Sequence, residues 1–81
     1  MTEIEEKLTA YITTQVIKRP RYNLGRDEAL ISSGLIDSFH LVDLAIYVED
    51  TFGVHIDDSE LNAGAFDTLN QLASLIKQRR A

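Results

Sequence analysis

The hydrophobic positions near the start of the chain recur with the spacing of an α-helix. Three of them lie four residues apart and therefore share one helix face: Ile4, Leu8 and Ile12. Thr2 and Glu5 stand three residues apart, which is the capping-box pattern of a helix start. Pro20 cannot continue a helix. The pattern predicts a first helix that begins at Thr2 and ends before Pro20.

Residues 20–37 contain the only Pro, two of the four Gly and scattered apolar positions. We predict a long loop here, with one helical turn at Asp27 to Leu30, because connections of this length in small domains often carry a turn of their own or a function. The apolar residues of the loop are predicted to pin it across the helices: Tyr22, Leu24, Leu30, Ile31, Leu35 and Ile36.

A second helix is predicted from Asp37 and Ser38 to Phe52, because Gly53 is the residue type that best adopts the left-handed conformation beyond a helix end. Its apolar residues are too many for one stripe and divide into two sets. The inward face comprises Leu41, Leu44, Ala45, Val48 and Phe52. An adjacent edge comprises Phe39, Val42 and Ile46.

The remainder of the chain predicts a short turn at residues 57–61 and a last helix. That helix starts at Thr68, with Gln71 three residues later as a second capping box. Its apolar residues are Leu69, Leu72, Ala73, Leu75 and Ile76. Alternating strand patterns are lacking. The predicted fold is therefore all-α, a small bundle of three main helices plus one short helix.

Length and composition narrow the class of protein. With 81 residues the chain has room for one core, so we expect a single domain over residues 1–81. The absence of Cys removes disulfides and thiolate metal ligands. The longest apolar run, Leu44 to Val48, is far too short for membrane insertion, and the acidic N-terminus is unlike a signal peptide. We expect a cytoplasmic monomer.

The net charge of −5 is unevenly distributed along the chain. Between Glu28 and Ile76 there are nine acidic residues and no Lys or Arg, whereas the two ends together carry eight basic and four acidic residues. Because nucleic-acid affinity depends on clustered Lys and Arg, nucleic acid is not expected to bind. The acidic middle of the chain instead predicts partners with basic surfaces.

No familiar catalytic or metal-binding pattern is found in the sequence. Ser38 and His40 are two positions apart on one helix and point to different sides, so they cannot act as nucleophile and base. His40 and His55 lack the spacing of a zinc motif, and no stretch has the spacing of a calcium loop. A contact between His40 and Asp43 is expected to be a solvated surface pair. We predict neither an enzyme nor a metal site.

Ser38 is the remaining candidate for a functional residue. A serine at a helix start ordinarily caps the helix. Ser38 also follows a glycine-containing loop and lies in the most acidic part of the chain. A phosphodiester attached there would lie at the positive end of the helix dipole, where an anion is favoured. Helix cap and modification site therefore both stay open.

Three segments taken together resemble the acyl carrier protein family. They are SGLIDSF at 33–39, LVDL at 41–44 and VEDTFGVHI at 48–56, and the resemblance covers nearly the whole chain. It implies that Ser38 receives a 4′-phosphopantetheine arm from coenzyme A, added by a phosphopantetheinyl transferase. The thiol of the arm would carry an acyl or aminoacyl group as a thioester.

The resemblance also implies roles for the residues around Ser38. Asp37 would present its carboxylate to the transferase, where it helps to position magnesium. Loading and transferring enzymes with basic surfaces would contact Phe39, Val42, Asp43, Ile46, Glu49 and Asp50. The channel that shelters a bound chain would be lined by Leu41, Leu44, Ala45 and Val48.

The residues after the serine bear on the subtype. Fatty-acid carriers usually have Leu or Met there and often an acidic residue next, whereas this chain has Phe39 and His40. The segments GLIDSF, SEL at 59–61 and FDT at 66–68 are more similar to D-alanyl or stand-alone peptidyl carriers. Fatty-acid, polyketide and nonribosomal peptide biosynthesis all remain possible pathways. The alternative is an unmodified helical interaction scaffold in which Ser38 only caps a helix.

Overall fold

The computed structural model describes residues 3–80, and within them all regular secondary structure is helical. Helix α1 spans Glu3–Tyr11 and continues as a π-helical segment, Ile12–Val16. Helix α2 spans Ser38–Phe52, a 3₁₀ turn spans Asp58–Glu60, and helix α3 spans Leu69–Arg80. The predicted all-α bundle of three main helices and one short helix is confirmed.

The first helix ends before Pro20, as predicted, but its last turns are widened. The hydroxyl of Thr13 donates to the carbonyl of Thr9 at 2.8 Å, and the backbone N–H of Arg19 reaches the carbonyl of Thr13 at 2.8 Å. Lys18 then adopts a left-handed conformation with φ of 61°, which turns the chain away from the helix axis. The predicted start at Thr2 lies outside the described residues.

The helical turn predicted at Asp27 to Leu30 is wrong. The Glu28 carboxylate accepts hydrogen bonds from the Tyr22 hydroxyl and from the backbone N–H of Gly25, which holds this stretch in a turn. The backbone N–H of Leu30 donates to the carbonyl of Asp67 at 2.6 Å. Because that donor binds a distant segment, it is not available to build a local helix.

The loop is nevertheless pinned to the helices as the sequence predicts. Leu24, Leu30 and Ile36 are buried in the same hydrophobic core as the three helices. Tyr22, Ile31 and Leu35 are partly buried against it. The helices contribute Ile4, Leu8, Ile12, Leu41, Leu44, Val48, Phe52, Leu69, Leu72, Ala73 and Ile76 to this core. Burial of this apolar surface is the main force that holds the long loop in place.

The start of α3 follows the predicted capping pattern with one shift. The Thr68 hydroxyl accepts from the backbone N–H of Gln71 at 3.1 Å, as a helix cap does. The Gln71 side chain accepts from the backbone N–H of Asp67 at 2.7 Å and not from Thr68 itself. The backbone N–H of Asn70 donates to the carbonyl of Arg26 at 3.0 Å, so the start of α3 is also bound to the loop.

Candidate functional site

Helix α2 is capped by Asp37, and Ser38 is its first helical residue. The Asp37 carboxylate accepts from the backbone N–H of His40 at 2.9 Å, which is the bond that defines the cap. The Ser38 side chain is exposed. The capping residue is therefore Asp37, one position before Ser38, and Ser38 does not cap the helix. The structure leaves the Ser38 hydroxyl at the surface, at the positive end of α2.

Asp37 also binds the imidazole of His40. The Nδ1 atom of His40 lies 2.8 Å from Oδ1 of Asp37, so both His40 contacts are made to one carboxylate oxygen. This replaces the predicted surface contact between His40 and Asp43, because the cap geometry places His40 over the carboxylate. The His40 backbone N–H and side chain both lower the pKa of Asp37. A negative charge is thus maintained next to Ser38.

The turn that precedes Ser38 is anchored by Asp67. Its carboxylate accepts from the backbone N–H groups of Ile31 and Ser32 at 2.8 and 2.9 Å, and from the Ser32 hydroxyl. The Ser32 hydroxyl, followed by these N–H groups, lowers the pKa of Asp67. Gly34 has a φ of 81°, a conformation that favours glycine. These contacts fix the path by which the chain enters α2.

The two apolar sets predicted on α2 are confirmed by their exposure. Leu41, Leu44, Val48 and Phe52 are buried, and Ala45 is half-buried. Three large apolar side chains instead face solvent, with exposed fractions of 83% for Phe39, 48% for Val42 and 56% for Ile46. Asp43, Glu49 and Asp50 are exposed on the same helix. Large apolar side chains grouped at the surface are typical of interaction sites.

A shallow cleft lies beside the exposed side of α2. Its apolar lining comes from Val42, Ala45 and Ile46 of the helix and from Ile56 of the segment that follows it. Its polar lining comes from Glu49, His55 and Asp58. The cleft therefore joins the exposed apolar residues of α2 to the segment that follows the helix.

Glu49 and His55, which both line this cleft, form a pair. Nδ1 of His55 lies 2.8 Å from Oε1 of Glu49, and this contact is the main reason that the pKa of His55 is raised. Neither this pair nor the anchoring role of Asp67 is predictable from the spacing of residues along the chain. The six-residue separation of Glu49 and His55 spans a helix end, where no periodic rule relates two side chains.

The start of α2 is a favourable position for an anionic group. The Ser38 hydroxyl is exposed beside the first N–H groups of the helix, which stabilise an anion. The neighbouring imidazole of His40 is held by Asp37. Among the described residues there is no group of three or more His, Asp or Glu side chains that could hold a metal ion.

Comparison with known families agrees with this geometry. A family model described as a phosphopantetheine attachment site matches residues 6–76. The chain therefore belongs to the phosphopantetheine-binding carrier family, whose domains bear a covalent 4′-phosphopantetheine and act as non-catalytic carriers. Among curated proteins, no match to the chain is found. None of the helices described is long and apolar enough to cross a membrane.

Proposed function

We propose that Ser38 is the residue that bears the 4′-phosphopantetheine arm and that the arm carries an acyl or aminoacyl group as a thioester. The observation that supports this most directly is the position of Ser38. It is exposed at the start of α2, while the helix is capped by Asp37. A serine that does not cap the helix can be esterified without removing the cap hydrogen bond.

We propose that Asp37 assists the transferase that loads Ser38. Its carboxylate is exposed, and its lowered pKa keeps it ionised at neutral pH. A carboxylate beside the reacting hydroxyl can help to orient a magnesium ion that the transferase brings, since oxygen ligands suit that ion. The helix cap and this recognition role would use the same side chain.

We propose that partner enzymes bind one face of α2, called here the docking face. It comprises Phe39, Val42, Asp43, Ile46, Glu49 and Asp50. Its apolar members are exposed and can be buried in a complex, and its acidic members complement basic partner surfaces. Complementary charge raises the association rate more than the affinity, which suits a carrier that must visit several enzymes in turn.

We propose that a small cargo fits this carrier more readily than a long alkyl chain. Leu44 and Val48 are fully buried in the core, and Leu41 is nearly so. A chain sheltered among these residues and Ala45 would have to displace packed side chains, which is costly in a close-packed interior. An aminoacyl group, such as the D-alanyl or peptidyl-carrier cargo implied by the sequence, needs no such opening.

Loading with coenzyme A tests the assignment of Ser38. We expect a promiscuous phosphopantetheinyl transferase to add one arm to the wild type, seen by intact-mass spectrometry, and none to Ser38→Ala. Ser33→Ala is the matched control, because Ser33 is an exposed serine in the preceding turn. An unchanged wild-type mass with several transferases, or an arm on Ser38→Ala, would contradict the proposal and favour the unmodified scaffold.

A further inference from the structure

We propose that His55 binds Glu49 in the free carrier and gives way to a Lys or Arg side chain of the partner enzyme, so that docking improves as His55 loses its proton. The inference rests on the proposed function, because it concerns one residue of the docking face. His55 lies in the segment that follows α2, and the resemblance assigns it no role. It would act as a built-in competitor for the partner's cation.

The geometry makes the competition direct. His55 Nδ1 and Glu49 Oε1 are 2.8 Å apart, which is hydrogen-bond distance. The side chains are 74% and 58% exposed, so an incoming cation can reach the carboxylate. Val42, Ile46 and Ile56 line the same cleft and offer apolar surface to the stem of a long basic side chain. A Lys or Arg side chain therefore complements both the charge of Glu49 and the apolar lining of the cleft.

The surroundings of His55 are acidic on two sides. Glu49 faces it from α2, and Asp57 and Asp58 act on it from its own segment. From α3, Arg79 donates to the backbone carbonyl of His55 at 3.2 Å, but its guanidinium is also paired with Glu60. The acidic groups favour the protonated imidazole, and Glu49 contributes most to the raised pKa of His55.

The sign of the pH effect follows from this arrangement. Below the raised pKa, a protonated His55 neutralises Glu49, and a partner cation must replace it. Above that pKa, the imidazole is neutral and competes weakly, so the carboxylate attracts the partner with its full charge. The efficiency of docking is therefore predicted to rise with pH, and the increase should require both His55 and Glu49.

A double-mutant cycle with the transferase as probe tests the inference. kcat/KM for loading Ser38 is measured for the wild type, His55→Ala, Glu49→Gln and the double variant, at about pH 6 and about pH 8. We expect His55→Ala to exceed the wild type about threefold at the lower pH and to match it at the higher pH. In the Glu49→Gln background, His55→Ala should have no effect.

The ratio of two kcat/KM values at the same pH cancels the pH dependence of the transferase itself, which is common to all four measurements. The inference would be overturned if the ratio of kcat/KM for His55→Ala to kcat/KM for the wild type did not change with pH. It would also be overturned if His55→Ala still raised kcat/KM in the Glu49→Gln background. Normal loading of Glu49→Gln at the higher pH would overturn it as well. These results leave the proposed function intact, whereas failure to load the wild type at any pH would overturn both.

Discussion

Truncation of an apolar side chain should lower stability on the buried face of α2 and slow partner docking on the exposed face. Leu44 is fully buried, whereas Ile46, two residues later, is 56% exposed. We predict that Leu44→Ala lowers stability and that Ile46→Ala lowers the rate of partner docking. The two variants lie on one helix and both lose a branched apolar side chain, so each is the control for the other.

The expected change in the free energy of unfolding depends on how deeply each side chain is buried. Truncation of a fully buried leucine to alanine costs about 2–5 kcal/mol, since it loses transfer free energy and leaves a cavity. A domain of this size has a total stability of about 4–12 kcal/mol. Leu44→Ala should therefore remove a large share of the free energy of unfolding. Ile46→Ala should change it by less than about 0.5 kcal/mol, because surface substitutions have small effects and alanine favours the helix.

Urea unfolding followed by circular dichroism gives the first quantity, and kcat/KM for transferase loading gives the second. We expect Ile46→Ala to load about fivefold more slowly, the loss of about 1 kcal/mol typical of an interface side chain. Leu44→Ala, assayed at a temperature where it is folded, should load at the wild-type rate. Equal losses of stability in the two variants, or wild-type loading of Ile46→Ala, would refute this division of α2.

Three further predictions concern the acidic groups. Asp37→Ala should lower the urea midpoint of unfolding at neutral pH, because it removes the cap hydrogen bond to His40. The difference in midpoint from the wild type should shrink as pH falls through the lowered pKa of Asp37, since protonation weakens the cap in the wild type as well. Asp43→Ala is the control and should show neither effect, because Asp43 makes no cap hydrogen bond. Asp67→Ala should speed amide hydrogen exchange at Ile31 and Ser32, whose N–H groups it binds, and unchanged protection there would count against the anchor. Glu60 should titrate at a pKa of about 2 by NMR and return toward its ordinary value in Arg79→Ala, because Arg79 is the main cause of the shift.

The sequence predicted the ends of α2 well because the residue types at those positions have strong conformational preferences. Gly53 adopts a φ of 70° and ends α2 where the pattern predicts, and Asp37 and Ser38 mark its start. The division of the apolar residues of α2 into two sets also followed from helical spacing, whereas the exposure of Phe39, Val42 and Ile46 was predicted from the resemblance to carrier proteins. Local geometry relates these positions, so no knowledge of the tertiary structure was needed.

Contacts between distant segments were not predictable in the same way. Asp67 binds Ser32 across 35 positions of the chain, and nothing in the pattern near either residue names the other. The failed helical turn at residues 27–30 has the same origin, because Leu30 donates its N–H to Asp67. The assignment of the cap to Asp37 and not Ser38 needed backbone geometry, since both residue types are good caps.

Ser38 is exposed at the start of α2 and is proposed to bear the phosphopantetheine arm. The most direct test is the mass of the protein purified from its native host, with fragmentation to locate any added group. We predict a mass increased by one phosphopantetheine, alone or with its cargo, and fragments that place it on Ser38. A fully unmodified native mass, or an arm on another residue, would contradict the account.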